Sequence, residues 1–73
     1  MLDEKTLERL LKRAERTSRQ HDIRFGLALS NELNETNARL HQLCEEANPA
    51  YYLKQTREQC EPAISWLWDQ ISK

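Results

Sequence analysis

Apolar and polar positions along the first twenty-one residues follow a helical period. Leu7, Leu10, Leu11, Ala14, Ser18 and His21 obey the i, i+3, i+4, i+7 rule and share one face, while Arg9, Lys12, Arg13, Arg16 and Arg19 fall on the opposite one. The spacing predicts an amphipathic helix opening at Asp3, whose carboxylate can cap free backbone N–H groups, with Glu4 near the positive end of the helix dipole. Its apolar stripe narrows and turns polar near Thr17 and Ser18.

The next stretch, HDIRFGLALSNEL over residues 21–33, carries two periods at once. Ile23, Phe25, Leu27 and Leu29 alternate with Arg24, Gly26, Ala28 and Ser30 as in a strand. A strand needs a pairing partner, and no other segment alternates over enough positions to supply one within the chain. Helix is the better reading: Phe25, Leu29 and Leu33 are four apart and line up, with Ile23 and Leu27 in a second row. Such a helix is apolar on more than one side and suits burial between neighbours. Gly26 costs about 1 kcal/mol relative to Ala in a helix interior, so it marks a bend, a close helix crossing or the loop of a hairpin. Ser30, with Glu32 behind it, has the character of an N-cap. A break or kink is expected between Ser18 and Ser30, at one end of that interval or the other.

From Leu33 the apolar pattern runs through Thr36, Leu40, Leu43 and Ala47 in steps of three and four, a short heptad-like seam. Asn31, Asn34 and Asn37 recur beside it and read as a solvated flank, or else as a polar contact surface. Asn48-Pro49 reads as the start of a new helix, with Asn as cap and Pro at the first helical position. Glu61-Pro62 repeats the arrangement, so residues 49–73 form one Pro-kinked helix or two short ones. Leu53 and Cys60 give the first part a thin apolar edge, and Ile64, Leu67, Trp68 and Ile71 give the last part a better one.

Composition narrows the fold class. One glycine and two prolines among 73 residues leave little turn chemistry for a sheet. The expectation is a single all-α domain over 1–73, a hairpin or bundle of three to four helices. A chain this short buries only roughly 60% of its unfolded surface, which favours completion by self-association or by a partner. Net charge is −1, yet residues 1–30 hold seven cations against five acids and residues 31–73 four against seven. Cys44 and Cys60 read as reduced thiols, because the charged N-terminal residues carry no secretory leader; the expected location is cytoplasmic. No window is long or apolar enough to span a bilayer, and the last helix is too poor in cations for a membrane-surface helix.

Candidate chemistry is sparse. His41 and Cys44, three apart, would suit two metal ligands or a base and a nucleophile, but zinc sites use paired close spacings and catalysis needs an orienting group and a pocket. No metal, cofactor or small-molecule substrate is expected, and no enzymatic activity. Cys44 reads instead as a small apolar residue beside the seam. The aromatic residues carry more. Trp66 and Trp68 point to opposite sides of a helix, the adjacent Tyr51 and Tyr52 must likewise point in different directions, and such residues anchor protein interfaces. The leading expectation is a protein–protein interaction module, acting as regulator, inhibitor, adaptor or chaperone. Trp66, Trp68, Tyr51 and Tyr52 would meet the partner, and Phe25, Leu29, Leu33, Leu40 and Leu43 would support self-association. The alternative is a nucleic-acid-binding regulator using Arg9, Lys12, Arg13, Arg16 and Arg19, though the same face also suits a solvated helix side with Glu8–Lys12 and Glu15–Arg19 pairs.

Overall fold

The computed structural model describes residues 3–72. Four α-helices, α1 (Glu4–His21), α2 (Phe25–Thr36), α3 (Ala38–Ala47) and α4 (Glu61–Ser72), are joined between α3 and α4 by two 3₁₀ turns, Tyr51–Leu53 and Glu58–Cys60. The described residues contain no strand, so the alternating stretch is helical.

α1 begins where the sequence places it. The Asp3 carboxylate accepts from the Thr6 N–H at 2.7 Å, and this bond holds its pKa below the usual carboxylate value. Leu7, Leu10, Leu11 and Ala14 are buried against α2 and α4. At the other end Asp22 adopts the left-handed conformation (φ 50°) and its N–H donates to the Ser18 carbonyl. The Ser18 hydroxyl donates to the Ile23 carbonyl at 2.6 Å, clamping the turn. The break therefore falls at the Ser18 end of the expected interval. Ser30 is not a cap: it is buried inside α2.

α2 has no side-chain cap, and its first donors are satisfied from far along the chain. Phe25 N–H donates to the Gln55 carbonyl at 3.1 Å and Gly26 N–H to the Lys54 carbonyl at 3.0 Å. Arg24 Nε–H donates to the Tyr52 carbonyl at 2.8 Å. The segment following the first 3₁₀ turn thus lies across the N-terminus of α2, latched by three hydrogen bonds. Gly26 permits the approach, because a Cβ there would stand 2.8 Å from the Lys54 carbonyl oxygen and closer still to that of Tyr51. What approaches is a 3₁₀ turn and the residue after it, where the sequence suggested a bend, a crossing helix or the loop of a hairpin.

Two asparagines act differently from their expected roles. Asn37 divides the heptad-like seam: its backbone is extended (φ −160°, ψ 95°), its N–H donates to the Leu33 carbonyl, and its side chain caps α3 by accepting from Leu40 N–H at 3.1 Å. Leu33 and Leu40 still reach the core, but Thr36 is exposed, as are Asn31 and Asn34. Asn48 ends α3 rather than starting a helix, its N–H donating to the Cys44 carbonyl at 2.8 Å. Pro49 cannot extend α3, and Ala50 turns the chain through the left-handed region (φ 62°) into the first 3₁₀ turn. Residues 49–72 thus contain one α-helix preceded by two 3₁₀ turns, with Pro62 in the first turn of α4 where no helical N–H is needed. Because an L-residue is disfavoured by roughly 1 kcal/mol in the left-handed region, Ala50→Gly is expected to raise stability by about 0.5–1 kcal/mol, read as a higher urea midpoint.

One cluster forms the core, built from the α1 stripe, Phe25, Ala28, Leu29 and Leu33 of α2, Leu40 and Cys44 of α3, Tyr51, Cys60, and Ala63, Ile64 and Leu67 of α4. Phe25, Leu29, Leu33 and Leu40, assigned from sequence to contacts between copies, are used inside the single chain because α1 and α4 already supply the facing apolar surface. Leu43 is half-buried. Leu53, at 53%, is the exposed large apolar residue among those described.

Candidate functional site

The outer surface of α1 is sorted by charge. At about 100° per residue, Lys5, Arg9, Lys12, Arg13, Arg16 and Arg19 fall within an arc of about 120°, and Gln20 is the only other residue of α1 in it. All six cations are exposed. The carboxylates of α1, Glu4, Glu8 and Glu15, occupy a separate narrow stripe between that arc and the buried leucines. The five cations expected from sequence are thus joined by Lys5, four residues before Arg9, a spacing that was legible in the sequence. From Lys5 to Arg19 the arc runs about 21 Å.

Ion pairs tie both flanks of the arc to the rest of the fold. Arg57, between the two 3₁₀ turns, donates from a guanidinium nitrogen to Glu15 Oε1 at 2.5 Å, and Arg19 lies 4.0 Å from Glu15 Oε2. On the other flank Arg13 Nε is 3.5 Å from Glu32 Oε2 of α2. The acidic stripe is therefore answered at Glu15 by a cation brought from 42 residues away, which no local pattern announces. Taking the six arc cations aside, the remaining five cations of the chain face twelve carboxylates, so positive potential is concentrated on one side of α1.

Other candidate residues converge on Tyr51, which is 2% exposed and lies in the core rather than at the surface. Its hydroxyl is 2.8 Å from His41 Nδ1, and Ser30 and Cys44 also act on its ionisation. His41 Nε2 lies 3.9 Å from Glu45 Oε2. Both ring nitrogens of His41 are directed away from the role of base to Cys44. Burial pushes the Cys44 thiol up to about 11, against opposing hydrogen bonds from Asn48 and Tyr51, so it stays protonated and unreactive at neutral pH. The Cys60 thiol, pushed up by the same cause, donates to the Tyr51 carbonyl at 3.8 Å. Both cysteines are free and buried. The cluster fastens the first 3₁₀ turn to α2 and α3, and every buried side-chain nitrogen and oxygen among the described residues has a hydrogen-bond partner.

Trp66 and Trp68 are half-buried and pack on the core with Ile23 and Ile71; Tyr52 is half-buried and stacks edge-on to Tyr51. A shallow cleft of about 240 Å³ between the end of α3 and the start of α4 is lined by Ala47, Pro49, Cys60 and Ala63, with Lys54 and Gln59 also in its lining. It is smaller than the roughly 300 Å³ at which ligand pockets begin, whereas more open hollows of about 410, 360 and 310 Å³ lie beside Glu45, Arg16 and Arg9. Among the described residues, no group of three or more His, Cys, Asp or Glu side chains is placed to hold a metal ion, and no helix is long and apolar enough to cross a membrane. Compared with known proteins, the chain matches no family model, no curated protein and no solved structure.

Proposed function

We propose that this protein is a binding module that engages nucleic acid through the outward arc of α1. The observation carrying the reading is that arc itself: six exposed cations with no carboxylate of α1 between them, two of which, Arg13 and Arg19, also face Glu32 and Glu15 at its flanks, on a helix whose acids are gathered to one side. Cations three or four apart on a helix repel one another by about 0.2–0.5 kcal/mol per pair, and Lys5–Arg9, Arg9–Lys12, Arg9–Arg13, Lys12–Arg16, Arg13–Arg16 and Arg16–Arg19 all have that spacing. A row of phosphates relieves this repulsion and releases condensed counterions, so binding is favoured twice over. Packing on a protein partner through the aromatic residues has less to draw on, since Tyr51 is buried and the two indoles already rest on the core.

The test is fluorescence anisotropy with labelled DNA at about 50 mM salt, comparing the parent with the triple variant Arg9→Gln/Lys12→Gln/Arg16→Gln. These side chains are exposed, so the variant keeps its helical circular dichroism. It is expected to bind at least about tenfold more weakly, and its salt dependence (log K against log salt) should be shallower by about three. Failure of the parent to bind either duplex or single strand would overturn the reading.

A further inference from the structure

Resting on that reading, the geometry points to a partner: we infer that α1 lies in the major groove of B-form DNA, with its two rows of cations on the two phosphate backbones. Viewed down the axis, Lys12 and Arg19 form one edge of the arc and Arg9 and Arg13 the other, about 60° or more apart, with Lys5 and Arg16 along the crest between them. A helix with its side chains is about 10–12 Å across, and the B-DNA major groove is about 12 Å wide and about 8.5 Å deep. Inserted crest-first, each edge faces one strand. The inner face of α1 packs on α2 and α4, while the six arc cations are exposed along the helix.

The edge nearest the acidic stripe is the critical one, because uncompensated carboxylates there would repel the backbone. Arg57 answers Glu15, and Glu4 and Glu8 border only the first turns, which centres the contact on the stretch from Lys12 to Arg19. Single strands are a poorer fit. Their binding sites present aromatic rings on which bases stack, and α1 contains no Phe, Tyr or Trp. Duplex RNA is also a poorer fit, since its major groove is too deep and narrow to admit a helix.

Anisotropy titrations with four probes test this: a DNA duplex of about 20 bp, one of its strands, the same sequence as an RNA duplex, and a DNA duplex whose cytosines carry glucosylated 5-hydroxymethyl groups that fill the major groove. The plain DNA duplex is expected to bind about tenfold more tightly than each of the other three. A filled-groove duplex that binds as well as the plain one overturns the groove placement and leaves nucleic-acid binding standing. So does a single strand or an RNA duplex that binds as tightly as the DNA duplex. Binding to none of the probes overturns both.

Discussion

Replacing Gly26 with alanine is expected to destabilise the fold by about 3–5 kcal/mol, the opposite in sign to the gain of about 1 kcal/mol that helix propensity alone assigns to Gly→Ala. The backbone of Gly26 is helical, so no conformational strain opposes the change; contact does. The new methyl would meet the Tyr51 carbonyl oxygen and both the oxygen and nitrogen of Lys54, and these are backbone atoms that cannot rotate aside as a side-chain tip would. Relief requires the 51–55 segment to move off α2. That movement breaks the hydrogen bonds from Phe25 N–H to Gln55 and from Gly26 N–H to Lys54, and loosens the Arg24–Tyr52 bond. Overpacking typically costs about 1–3 kcal/mol and each lost hydrogen bond about 0.5–1.5 kcal/mol. A domain of this size has a total stability of roughly 4–11 kcal/mol, so much of it would go. Urea unfolding followed by circular dichroism measures the effect, with Asn31→Ala as the control: Asn31 is exposed on the same helix and its replacement should raise stability by a few tenths of a kcal/mol. An unchanged or raised midpoint for Gly26→Ala would mean that the segment does not lie across α2.

The same latch bears on the proposed binding surface. By holding the 51–55 segment against α2, it sets where the chain continues to Arg57, and Arg57 must reach Glu15 to neutralise the acidic flank of α1. A fault at Gly26 would therefore be felt at the acidic flank of α1.

What the sequence makes legible and what it hides divide along physical lines. The start and the buried face of α1 were readable, from the Asp3 cap through Leu7, Leu10, Leu11 and Ala14, because those signals are local; where it ends was not, since the left-handed turn at Asp22 and the Ser18–Ile23 bond set it. The all-helical class and the cations of the arc were readable too. The roles of Asn37 and Asn48 were not. Asparagine satisfies a helix end from either side, donating or accepting, and which side it serves is decided by where the flanking helices pack. Asn48-Pro49 looks like a helix start, yet the same pair ends α3, because Pro49 blocks continuation and Ala50 adopts the left-handed turn. Tyr51 and Tyr52 both read as candidate partner contacts, because two adjacent aromatics must point in different directions. Tyr52 is the half-buried member of the pair, and the partners that draw Tyr51 inward, Ser30, His41 and Cys44, come from two other helices. The Arg57–Glu15 pair is likewise invisible without the fold.

Stability is expected to fall steeply on the alkaline side, and the buried thiol of Cys44 is among the first groups to contribute. In the unfolded chain the thiol ionises near its ordinary value of 9.0; burial in the fold raises this to about 11. The contribution to stability is therefore complete below about pH 9 and is lost as pH rises toward and through about 11, because in that window the unfolded chain has given up a proton that the folded one retains. The two-unit difference corresponds to about 3 kcal/mol for this group. Burial raises the Tyr51 phenol and the Cys60 thiol in the same direction, so both steepen the decline. Urea unfolding at intervals from about pH 7 to about pH 11 would show the loss, and Cys44→Ala separates its sources. The variant loses stability at neutral pH from the cavity left behind, but its dependence on pH should be flatter by the share belonging to Cys44. An equally steep decline in the variant would assign the alkaline loss to Tyr51 and Cys60 and remove Cys44 from the account.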